Sequence, residues 1–124
     1  MKISDIFKIL ENSSEVNKFI EKYSNEFINY GNKLNKKGAS TPIRVDDDFS
    51  FIFNKKHLIN ICQYFLTDNL TELQINYIVD CLTLSDSVSF ENEELRELLE
   101  ALTDPEVNGA ITKETMLSII ATID

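Results

Sequence analysis

Tryptophan is absent, histidine occurs once, and three glycines, two prolines and two cysteines are spread over 124 residues. So few backbone breakers, with a hydrophobic share of 43%, exclude a disordered tail or a low-complexity linker. Cys62 and Cys81 lie in the apolar stretches "LINICQYFL" and "YIVDCLTL" with no CxxC or paired-histidine spacing, so they read as reduced core thiols rather than a disulfide or a zinc site. His57 and Cys62 are five residues apart, about 140° around a helix, and point away from any shared substrate. The chain has no GxSxG elbow and no GxxxxGK phosphate loop. Paired carboxylates are inevitable in so acidic a chain and diagnose nothing by proximity alone. A binding protein without cofactor or metal is therefore expected before an enzyme.

No apolar run approaches the roughly 18 residues that a membrane helix requires. The opening "MKISDIFKIL" is amphipathic, carries one lysine ahead of its first apolar residues and runs straight into Glu11, which is a poor export signal. The expectation is a cytoplasmic protein.

The residues that are present follow helical spacing. Ile6, Ile9 and Leu10 line one side of a first segment over Ser4–Glu11. Val16, Phe19, Ile20, Tyr23, Phe27 and Tyr30 recur at three and four residues, giving a stripe about four turns long that Ser13 or Ser14 would cap. Further helices are expected over His57–Leu66, over Thr71–Leu84 with a Thr71/Gln74 capping box, after a Ser89 cap along "SFENEELRELLEAL", and over Lys113–Ile123 behind Thr112. Between Gly31 and Asn54 the periodicity stops, and the alternation of Phe49, Phe51 and Phe53 suggests a short strand that would pair with "TPIRV" as a hairpin. The fold class is mainly α: one helical domain over 1–124, a bundle or array, with a loop or hairpin insertion at about 31–54.

"TDPEVNGAITKET" keeps time with a calcium loop from Asp104 through Glu106, Asn108 and Gly109. The twelfth position is Thr115, however, and Glu114 falls one residue early, so the bidentate ligand is missing. Asp104 as cap, Pro105 at the first helical position and Gly109 as exit explain the same residues as a helix connector. A small calcium-binding module starting at Asp104 stays open as an alternative, as does a non-catalytic structural adaptor.

Charge carries the strongest functional signal. Of the formal −9, residues 57–124 hold thirteen acids against Arg96 and Lys113, whereas residues 31–56 hold six basic side chains against three acids. Glu91, Glu93, Glu94, Glu97 and Glu100 crowd one helix whose leucines require the other side for packing, and Glu106 follows in the connector. Such a surface repels nucleic acid and favours a basic protein, with a salt-sensitive encounter. The short basic run of Lys33, Lys36, Lys37 and Arg44 is flanked by Asp46–Asp48 and meets only the electrostatic criterion for an anion site.

The stretches "LQINYIVDCLTLSD" and "SFENEELRELLEALTDPEVNGAIT", about the last 55–60 residues, resemble the helical immunity proteins of bacterial contact-dependent growth inhibition systems. The resemblance implies a toxin inhibitor that binds a cognate basic toxin domain, commonly a nuclease, one to one, while the charge and the lack of a long apolar run speak against nucleic acid or a membrane as partner. Glu91, Glu93, Glu94, Glu97, Glu100 and Glu106 are the interface candidates on their charge in this sequence.

Overall fold

A computed structural model describes residues 1–34 and 43–124. The chain is mainly α. Helix α1 spans Ile3–Glu11, a 3-10 turn Ser13–Glu15, α2 Val16–Lys22 and α3 Ser24–Leu34. Strand β1 (Phe51–Phe53) precedes α4 (Lys55–Leu66) and α5 (Glu72–Leu84), and strand β2 (Val88–Phe90) precedes α6 (Glu93–Glu100), α7 (Pro105–Asn108) and α8 (Lys113–Ile123).

The expected four-turn helix is two helices meeting at Tyr23. Its φ of −105° and ψ of 15° leave the helical range, and its phenol donates to Asp5 while accepting from the Lys2 amide at 3.1 Å. That reach back to the start of α1 supplies the reason for the break. Asn12, rather than Ser13 or Ser14, provides the cap ahead of α2, accepting from the Ser14 amide at 3.0 Å.

Among the described residues of "TPIRV", Ile43, Arg44 and Val45 form no strand paired with β1. Thr41 and Pro42 lie outside the described residues, as does the rest of 35–42, and Gly31–Leu34 belong to α3. Asp46 instead bridges in parallel to Lys2. Strand β1 pairs in parallel with β2, in the register Phe51↔Val88, Ile52↔Ser89 and Phe53↔Phe90. Parallel strands need a long crossover, which α4 and α5 supply. Sequence reading misses this because each strand has three residues and its partner lies across two helices.

Side-chain caps set the starts of α4, α5, α6 and α8. Thr71 and Gln74 form the expected capping box at α5, and Thr112 accepts from the Thr115 amide at 3.1 Å at α8. At α4 the box is made by Asn54 and His57. After α4, Asp68 takes φ 60°, a left-handed exit that lets the Asn69 amide reach the Tyr64 carbonyl at 2.8 Å.

One apolar cluster joins the elements: Ile3, Ile6 and Ile9 of α1, Phe53, Leu58 and Ile61, Ile75, Ile78 and Leu82 of α5, Leu95 and Leu99 of α6, and Met116 of α8. Helix α8 packs along α4, and α5 and α4 both contact α6. Cys62 and Cys81 are free thiols inside this core.

Candidate interaction surface on α6

Helix α6 starts at Asn92, whose side chain accepts from the Leu95 amide at 2.9 Å. Ser89, expected to cap it, belongs to β2 and is exposed, and the half-buried Phe90 is its neighbour in the strand. The apolar side of α6 is held by Leu95 and Leu99, both buried. Just beyond its C-terminus, the Asn76 side chain donates to the Leu102 carbonyl at 2.7 Å, and both residues are buried. This pins α6 to α5 by a hydrogen bond that would be costly to leave unmade.

With the leucines inward, the carboxylates face out. Glu91, Glu93, Glu94, Glu97 and Glu100 are all exposed. Glu106 lies in α7, and its side chain is outside the described residues. Three of the exposed five border two concavities, and Glu97 and Glu100 line neither. Glu91 and Glu94 border a concavity of about 260 Å³ with Lys55 at the start of α4 and Thr122 and Ile123 at the end of α8. Glu93 borders a second, of about 460 Å³, walled by β2, the end of α5 (Thr83, Leu84) and Arg96.

Charge on this face is not uniformly negative. Arg96 Nε donates to Glu100 Oε1 at 3.0 Å, one helical turn along, and its guanidinium lies 5.8 Å from the Phe90 ring centre. The bond to Glu100 and the field of Glu93 raise the Arg96 pKa further. The stripe of Glu93, Glu97 and Glu100 therefore carries one internal cation, which relieves part of its self-repulsion. Arg96 was legible as a basic residue but not as part of this stripe.

At the connector, Pro105–Asn108 form one helical turn as expected, entered through Asp104 at φ 51° and left through Gly109 at φ 81°. The Asp104 side chain makes no capping bond. Its carbonyl instead accepts from the Asn108 amide at 2.9 Å, and the Asn108 side chain donates to the Thr103 carbonyl at 2.6 Å. Among the described residues no three His, Cys, Asp or Glu side chains gather as a metal site would require.

Three titratable groups away from α6, His57, Asp80 and Asp5, tie elements together. His57 is buried: its Nδ1 accepts from the Asn54 amide at 3.1 Å, which leaves the ring proton on Nε2 to donate to Glu11 at 3.0 Å. Asp80 accepts from the hydroxyls of Tyr30 and Thr103, at 3.1 Å for the former. Burial raises its pKa above the ordinary carboxylate value, against the lowering effect of those two bonds. Asp5, between Lys22, Tyr23 and Lys8, has a lowered pKa: burial opposes the shift, and the bonds from Lys22 and Tyr23 outweigh it.

No protein-family model, curated protein or solved structure matches the chain.

Proposed function

We propose that this chain is an immunity-type binding protein that neutralises a cognate basic toxin domain, of the nuclease kind, by docking it against the acidic surface of α6. The observation that carries the reading is the set of five exposed carboxylates on an eight-residue helix and its leading turn, with that helix anchored from behind by Leu95, Leu99 and Asn76. The excess of acids over residues 57–124 and the resemblance of the same segment to helical immunity proteins support it.

The physics of such a surface is in the encounter. Clustered negative charge of several units speeds association with a basic partner by about 10- to 1,000-fold, and salt removes the gain. A rigid helix presents its charges without an ordering cost at binding. Inhibition then follows from covering the toxin's substrate cleft or from blocking it alongside.

The test is a pull-down from native lysate at low salt, followed by measured association with the captured partner. A single stoichiometric basic protein is expected, with an association rate that falls steeply between low and physiological salt. The triple variant Glu93→Lys/Glu97→Lys/Glu100→Lys should slow association by at least about ten-fold at low salt and abolish toxin neutralisation. An unchanged rate in that variant, or no basic partner among toxins encoded beside it, overturns the reading.

A further inference from the structure

We propose that the outer edge of β2 is a docking site where an extended segment of a basic protein adds a third strand to the sheet. The proposal deepens the reading of the acidic surface above and rests on it for the charge of the partner.

The argument begins with the ladder. The Phe51 amide donates to the Ser87 carbonyl at 3.3 Å and the Glu91 amide to the Phe53 carbonyl at 3.0 Å. In a parallel pair, alternate residues turn their backbone groups to the same side, so Ser87, Ser89 and Glu91 face β1 while Val88 and Phe90 turn their N–H and C=O groups away from it. Among the described residues those outward groups find no backbone partner outside the ladder.

A concavity lies beside that edge, with Phe90 half-buried and Val88 only 8% exposed at its wall. The concavity of about 460 Å³ is walled by all three residues of β2 and by none of β1, which places it on the side away from β1. Its apolar contribution comes from Leu84, 60% exposed at the end of α5, and from the half-buried Phe90. Outward donors and acceptors at strand spacing specify an extended peptide, with an apolar side chain directed at Leu84 and Phe90.

Charge selects the occupant. Asp86 stands before β2 and Glu93 after it, both exposed and both lining the concavity. The cation there, Arg96, is held by Glu100. A strand with basic residues near its two ends complements this arrangement. A second copy paired antiparallel would set acid against acid at each end, a juxtaposition that disfavours self-association.

The experiment uses the full chain labelled with nitrogen-15 and a synthetic seven-residue peptide, lysine at both ends with alternating valine and threonine between. Saturable shifts and slowed exchange centred on the Val88 and Phe90 amides are expected. The same peptide N-methylated at the alternate amides that would meet the edge should bind at least about ten-fold more weakly. No response at Val88 and Phe90, or equal affinity for the N-methylated peptide, overturns strand addition and leaves the acidic-face reading of α6 untouched, because that reading is tested with the captured partner. Equal affinity for a glutamine-ended peptide overturns the basic character of the occupant. Concentration-dependent shifts at the same amides without peptide would make a second copy the occupant and overturn the proposal.

Discussion

His57 joins three parts of the fold, and its replacement gives a test that separates helix capping from packing. The ring sits 5.5 Å from Phe51, 5.6 Å from Phe53 and 5.9 Å from Phe7, so β1, α1 and α4 meet around it. In His57→Ala the loss of that packing costs about 2–3 kcal/mol by analogy with other large-to-small core changes. The Asn54 amide loses its acceptor for about 1 kcal/mol more. The bond to Glu11 adds at most about 1 kcal/mol, since that carboxylate is 42% exposed and solvent screens it. The sum is about 3–5 kcal/mol, a midpoint lowered by roughly 10–20 °C for a chain of this size. In His57→Gln the third helical position regains the side chain usual for a capping box, so about 1 kcal/mol should return while the aromatic loss remains. Urea unfolding followed by circular dichroism, with the slope unchanged between variants, measures both differences. A cost below about 1 kcal/mol for His57→Ala would refute the buried placement of the ring. Equal costs for the two variants would refute the capping contribution.

Two further outcomes follow from buried titratable groups. Because the Asp80 pKa is raised in the folded state, its contribution to stability is full below the ordinary carboxylate value and is lost as pH rises through the folded value. Asp80→Asn should therefore remove a fall in stability seen in the parent as pH climbs out of the range near 4, and an unchanged pH profile in denaturant titrations would count against it. Burial pushes the Cys62 and Cys81 thiols up to about 12. Neither should react with a thiol reagent at neutral pH until the chain unfolds, and stoichiometric labelling of the native protein by mass spectrometry would contradict the core.

How much of this was legible in sequence depended on the range of the interaction involved. The α5 box and the α8 cap were readable because donor and acceptor stand three residues apart, and Lys113–Ile123 has the bounds that the apolar spacing gives. The α2/α3 break was not, since it depends on Tyr23 reaching Asp5, eighteen residues away, and a stripe of period 3.6 continues across it. The parallel pairing of β1 with β2 was illegible for the same reason. Strand β2 was absorbed into the helix that follows it, because "SVSFENEE" offers serine as a cap and Asn92 takes that role only once the strand is formed. At the candidate site the outward carboxylates were readable from the spacing of Leu95 and Leu99, whereas the placement of Glu91, Glu93 and Glu94 at two concavities depends on α8 and β2, which sequence does not place.

The two surfaces proposed here share one piece of geometry. Two residues, Glu91 and Asn92, link the end of β2 to the start of α6, and the buried face of α6 leans on α5, so any strand added at the β2 edge comes to lie beside Glu93 and Arg96. The acidic helix and the sheet edge would then act in sequence on one partner. On the proposed reading, long-range charge would draw a basic domain toward α6, where the gain is in the rate and is screened by salt. Backbone pairing at Val88 and Phe90 would act only at contact, where the gain is in residence time and is insensitive to salt. A charge reversal on α6 should thus change association, and a block of the edge should change dissociation. This separation is also what allows either surface to fail without the other.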